Sequence, residues 1–349
     1  MKNIDYKRIF NKGIPTNIIN LLTEIYEYKG RQNIYINNKN LEIQKLKKQA
    51  LIDSAVYSNK IENINISKKR IKDILLENDE LQNENEEDIK GYFELLNSLY
   101  NQETFELLNT NLILDLHYQL FQNSNTKMSG RFKLNDNFIL ETTLEGTQEI
   151  KFIPVKAFFI SEYINNLCNK YNEEYKSKKI NSLLLTTAFV LDFICISPFN
   201  HGNSRMSRIL LNWLLSVGDI KVVQYISLEK IIFENLEKYQ NVQQKSSYKW
   251  HDNLNNYYYF IEFILKIVLQ AYKEFESRFT SLENKKIDVA DNILKLIAQY
   301  QKVSKNELIN LLPESSKRTI ERKLNVLLKA KKILKINQGK NTKYTIKQH

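Results

Sequence analysis

Apolar residues recur at helical spacing through most of this chain. Ile18, Leu21, Leu22, Ile25 and Tyr26 share one face; Gly30 is expected to interrupt that helix, and the pattern resumes over 41–56. Further helices are expected over 89–96, 112–121, 155–172, 181–196, 209–217, 228–244 and 257–279. The acidic run 77–87 reads instead as a surface loop or a helix start. Between 130 and 154 the period changes: β-prone runs at 138–140 and 150–153 flank polar residues around Gly146 and predict a hairpin. The charged stretch 273–288 is the expected boundary of a separate C-terminal unit. There, helices are expected over 289–300, 305–312 and 316–330, capped by Ser304 and by Ser315 or Ser316. Two β-prone runs, 333–336 and 343–346, follow around a polar turn.

The chain is organised around 194–215, ICISPFNHGNSRMSRILLNWLL, which reads as helix, tight polar turn, helix. The Gly202-Asn203 pair is expected to give the turn its positive φ. The next helix then starts with free backbone N–H groups, and Arg205 and Arg208 lie near that start. Free amides, a helix dipole and two arginines aimed at one place make an anion site.

Composition supports helix: only 8 Gly and 4 Pro occur in 349 residues. Cys168 and Cys195 lie in apolar helical context and read as buried thiols. His117, beside Leu116 and Leu120, reads as a packed histidine. The N-terminus lacks the apolar stretch of a signal peptide, and no window reaches the length of a membrane span, so a cytoplasmic protein with no membrane partner is expected. Charge is uneven. Of the net +11, residues 313–349 supply +9, which points that end of the chain toward a polyanion.

The run Ser197-Pro198-Phe199-Asn200-His201-Gly202-Asn203-Ser204-Arg205, continued by Met206, Ser207 and Arg208, resembles the Fic motif His-x-Phe-x-(Asp/Glu)-Gly-Asn-Gly-Arg-x-x-Arg. Phe199, Gly202, Asn203, Arg205 and Arg208 match. Ser197 stands where the family has its catalytic histidine, His201 where it has the acidic magnesium ligand, and Ser204 where it has the second glycine. The resemblance implies a mainly α protein: a Fic-fold helical core with a small β-hairpin flap. The C-terminal element pattern resembles a winged helix-turn-helix. The expected domains are 1–105, an N-terminal helical region; 106–280, the Fic core; and 281–349, the winged helix. Ser58-Asn59-Lys60-Ile61-Glu62-Asn63 resembles the inhibitory helix of some Fic proteins, in which the glutamate pairs with the second motif arginine, here Arg208.

Fic enzymes move AMP from ATP to a hydroxyl of a target protein, using the histidine as base and the acid to hold Mg²⁺. Ser197 has no useful basicity at pH 7, and losing a general base costs about 10²–10⁴ in rate. His201 suits a hard oxygen-seeking ion poorly, which argues against Mg²⁺, and no metal ligand set is expected. A second reading makes His201 a displaced base or a ligand for another metal. The expectation is a Fic-family protein impaired in AMP transfer that acts as a DNA-binding regulator. It would bind ATP or phosphate through Gly202, Asn203, Ser204, Arg205 and Arg208, with Ser58 and Glu62 inhibitory. The alternative is a protein adenylyltransferase held in check by Glu62. DNA is expected to meet Lys317, Arg318, Arg322, Lys323, Lys340 and Lys343. The resemblance further implies a protein target at the flap, 138–153, and pairing into a homodimer.

Overall fold

The structure, a computed structural model, describes residues 2–36, 41–102, 105–124, 129–142, 147–284, 289–313, 315–337 and 342–346. The chain forms two compact units, Met1–Glu276 and Ser277–His349. The first contains α1 (Tyr6–Phe10), α2 (Thr16–Ile36), α3 (Leu41–Ile61), α4 (Lys68–Leu76), α5 (Glu84–Asn101) and α6 (Thr110–Leu120). The hairpin β1 (Ile139–Thr142) and β2 (Gln148–Phe152) follows, then α7 (Ile160–Ser177), α8 (Ser182–Ile196), α9 (Asn203–Val217), α10 (Leu228–Glu234) and α11 (Leu236–Ser247). The last helix, α12 (Tyr258–Asn284), runs through the boundary between the units.

Helix α8 is apolar all round, and every residue from Leu183 to Phe193 is buried, as a helix without a polar face must be. It packs on α7 and α9. Its one carboxylate, Asp192, accepts hydrogen bonds from Trp250 Nε1 (2.7 Å), Tyr257 Oη (2.7 Å) and Tyr6 Oη (3.1 Å), which tie α1 and the start of α12 to the core. Burial pushes the Asp192 carboxyl above its usual range, against the pull of Lys2 and these donors. Helix α3 packs along α5 and α10, so residues on both sides of the expected 105/106 boundary share one unit. Helices α5 and α6 also lie close: a β-carbon on Gly91 would sit 2.1 Å from the Leu120 carbonyl oxygen.

Several element bounds differ from expectation. Helix α2 continues through Gly30, because its buried Ile18 and Ile25 outweigh a glycine cost of about 1 kcal/mol. The single helix expected over 228–244 is two, broken at Asn235, whose backbone leaves the helical region (φ −124°, ψ 32°). The helix expected from 155 begins as a 3₁₀ turn at Ala157–Phe159 and runs on as α7 to Ser177. Asn83 caps α5, so the acidic run is loop and then helix start. The hairpin is antiparallel, with Leu140 opposite Ile150, and Gly146 lies outside the described residues. Among the described residues no helix is long and apolar enough to cross a membrane.

The second unit contains α13 (Val289–Tyr300), β3 (Val303–Ser304), α14 (Lys305–Leu311), α15 (Lys317–Lys329), β4 (Ile333–Ile336) and β5 (Lys343–Ile346). Strand β5 lies between β3 and β4, antiparallel to both. The two-residue β3 is not visible in the apolar pattern; it exists because β5 supplies a partner. Ser304 forms a capping box with Glu307, and Ser316 caps α15. Ile293, Ile297, Leu308, Ile320, Leu324, Leu327 and Ile333 form this unit's core.

Candidate functional site

Helix α8 ends when Ser197 turns left-handed (φ 49°, ψ 66°) and donates its N–H to the Phe193 carbonyl. Of the pair expected to supply positive φ, only Gly202 does so (φ 74°), and Asn203 opens α9; Ser197 is the other left-handed residue. Gly202 is required twice over, because an added β-carbon would also lie 2.8 Å from the Phe121 ring. The Asn203 amide closes the turn. Its Oδ1 accepts the Phe199 N–H at 2.9 Å and its Nδ2 donates to the Phe199 carbonyl at 2.7 Å.

Phe199 is buried and stacks on His117, with ring centres 3.7 Å apart and planes 8° apart. His117 Nδ1 accepts the Gly130 N–H at 3.0 Å. The ring proton therefore sits on Nε2, which donates to the His201 carbonyl at 3.1 Å. Burial pushes the His117 imidazole down to about 4; the bond to His201 opposes this, and the Arg205 and His201 charges add to it. His117 is thus a neutral strut, in keeping with its packed sequence context. From the other side, the Lys133 N–H donates to the Pro198 carbonyl at 2.9 Å.

Both motif arginines are buried at the start of α9 and face α3. Arg208 donates Nε to Ser58 Oγ (2.8 Å), Nη1 to Ser204 Oγ (2.6 Å), and Nη2 to the Ser58 carbonyl (3.0 Å) and Glu62 Oε1 (2.9 Å). Ser204 therefore does more than crowd the turn, since its hydroxyl holds the arginine. Burial alone would raise the Glu62 carboxyl; the Arg208 charge, hydrogen bonds from Arg208 and Ser204, and Arg205 hold it below its usual value. Arg205 pairs with Asp88 Oδ1 at 2.5 Å, lies 5.0 Å over the Phe121 ring and has Asn59 Oδ1 at 3.5 Å. Its Nε is buried without a hydrogen-bond partner. No side-chain cap closes the N-terminus of α9, so its first N–H groups are available to an anion.

Ser197 is buried at the turn, whereas the His201 side chain is exposed. The turn offers no carboxylate, and the two nearby, Asp88 and Glu62, are engaged by arginines. Among the described residues no group of three His, Cys, Asp or Glu could hold a metal ion. These residues do not fit Mg²⁺. Beside the end of α8, a cavity of about 320 Å³ opens between the hairpin and α11. Ile139, Phe152 and Ile194 line it with apolar surface, and Gln240, Gln243 and Gln244 with amides. Asp88, Asn59 and Phe121 were not foreseen from the sequence. Asp88 directly follows the acidic run 77–87, and nothing local shows that it meets a residue more than a hundred positions away.

In the second unit, Lys317, Arg318, Arg322 and Lys343 are exposed and Lys323 is half-buried, while Lys340 lies outside the described residues. Arg318, Arg322 and Lys329 lie opposite the buried Ile320, Leu324 and Leu327 of α15. Glu321 on the same helix pairs with Lys305 at 2.7 Å.

The family model of the Fic/DOC family matches residues 107–215, and no curated protein matches the chain. Among solved structures, a Fic family protein from Desulfovibrio desulfuricans is 18% identical, with TM-score 0.65, and the match covers 97% of this chain and 98% of that one. A Fic domain containing signaling protein from Bacteroides thetaiotaomicron is 16% identical, with TM-score 0.57, covering 74% of this chain and 94% of that one. Residues 134–508 of C. elegans Fic-1 are 15% identical, with TM-score 0.58, covering 74% of this chain and 71% of that one. The turn and its arginines thus lie in the stretch 107–215 that matches the Fic/DOC family, within a chain that has the fold of Fic family proteins.

Proposed function

We propose that this protein is a Fic-fold regulator that binds a phosphate-bearing ligand, a nucleotide such as ATP, at the start of α9 and is impaired in AMP transfer. The observation that carries this reading is the Glu62–Arg208 ion pair, with Ser58 and Ser204 completing the cradle. Arg208 is a buried cation whose charged partner is a carboxylate just past the end of α3. A phosphate oxygen can take that carboxylate's place, with the first N–H groups of α9 supplying further donors. The cavity beside the hairpin has the size of a small-molecule site and amides suited to a base. Ser197 brings a hydroxyl, not a base, to the position of the proton acceptor that AMP transfer to a target hydroxyl needs in this family.

Calorimetric titration with ATP on the natural protein and on Glu62→Gly tests the site. Binding that tightens in the variant supports the reading, and absence of binding in both refutes it. Label appearing on protein from α-labelled ATP with the Glu62→Gly variant would instead establish the adenylyltransferase reading.

The second unit has the element order of a winged helix, and we assign it DNA. Arg318, Arg322 and Lys329 form an exposed basic stripe on α15, the helix that would enter the major groove, with Lys343 at phosphates. Arg318→Ala with Arg322→Ala should weaken DNA binding and lower the slope of log affinity against log salt by about 0.9 for each phosphate no longer neutralised. Unchanged binding and slope in a mobility-shift series would exclude α15 as the DNA-binding element.

A further inference from the structure

Two carboxylates, not one, neutralise the arginines of the turn, and they are held differently. Glu62 follows the end of α3, and its side chain is 30% exposed. Asp88 is 17% exposed and stands one turn into α5. The start of α5 is fastened by the Asn83 cap and by Arg70. That arginine grips Glu86 through Nε (2.9 Å) and Nη2 (2.8 Å), while the Gln82 N–H donates to the same carboxylate at 2.8 Å. Glu62 can swing out on its own side chain; Asp88 is presented by a braced helix.

We infer that Asp88 is a specificity residue of the proposed anion site. It occupies Arg205 where a second phosphate group would otherwise be held, so the site takes a nucleoside monophosphate in preference to a triphosphate. This rests on the reading that the site binds a nucleotide. Arg205 turns Nη1 to Asp88, so its charge is already matched, although its buried Nε has no hydrogen-bond partner. Withdrawal of Glu62 frees one arginine charge, that of Arg208, in addition to the uncapped first N–H groups of α9. A phosphomonoester, carrying about 1.5–2 negative charges at pH 7, fits that complement. A triphosphate brings further charge, and the second arginine that could balance it is already paired with Asp88.

The test is calorimetric titration with AMP and with ATP, without divalent cations, on Glu62→Gly and on Glu62→Gly with Asp88→Asn. With Asp88 present, AMP should bind about tenfold more tightly than ATP, and the Asp88→Asn change should shift that ratio toward ATP by about tenfold, the value of one charged hydrogen bond. ATP binding Glu62→Gly as tightly as AMP overturns the inference, whether or not the double variant folds. An unchanged ratio in a folded double variant also overturns it, and both results leave nucleotide binding standing. If neither variant binds either nucleotide while tryptophan fluorescence shows both folded, the nucleotide reading fails and this inference fails with it.

Discussion

Replacing Glu62 by glutamine removes one charge and little else. Arg208 keeps Ser58 Oγ, the Ser58 carbonyl and Ser204 Oγ as acceptors, and the glutamine oxygen can still accept its Nη2. Separating a fully buried pair costs about 3–5 kcal/mol, but the Glu62 side chain is 30% exposed, so water screens part of the loss. Exchanging a charged for a neutral acceptor costs about 1 kcal/mol, and we expect about 1–2 kcal/mol in all at pH 7. For a unit of this size that is about 2–4 °C in Tm. The pH dependence has a definite sign. The folded-state Glu62 carboxyl lies below its usual value, so its contribution is complete above the unfolded-state value of about 4.3 and is lost as pH falls through the folded one. The gap between natural protein and variant should therefore be full at pH 7 and close at more acid pH than an ordinary carboxylate would give. Both tryptophans, Trp213 and Trp250, are buried in the first unit, so their fluorescence in urea melts reports that unit. A gap of equal size at pH 7 and at about pH 3, or none at pH 7, refutes the assignment of Glu62 as the charged partner of Arg208.

Gly202→Ala should destabilise the first unit by about 2–4 kcal/mol, combining left-handed backbone strain with a collision against Phe121; a loss below about 1 kcal/mol in the same melts would contradict the turn geometry. The His117 ring should titrate near pH 4 by NMR, and the resulting stability falls as pH drops from about 6.5 toward that value, because only the unfolded chain takes up the proton. A midpoint near 6.5 would mean that the ring is not the neutral strut beneath Phe199.

The helices of the second unit were legible because each carries an apolar stripe and a serine cap: Ile320, Leu324 and Leu327 with Ser316 are enough to place α15. The turn was legible because Gly202 and the arginines lie within seven residues of one another. Where expectation failed, the apolar pattern alone did not decide. Gly30 stays helical because Ile18 and Ile25 are buried, Asn235 breaks a continuous pattern, and β3 needs β5.

The sequence by itself determined the helical class, the turn between two apolar helices, the altered residues Ser197, His201 and Ser204, and the basic end of the chain. All of these are properties of composition or of short-range spacing. Only the tertiary structure decided the electrical state of the site. The family resemblance already points to the pairing of Glu62 with Arg208; that pairing, and those of Ser58 with Arg208 and of Asp88 with Arg205, join residues 117–150 positions apart. Burial, which turns those pairings from weak surface pairs into a closed lock and keeps His117 neutral, is a property of the packed core and of no segment of the chain taken alone.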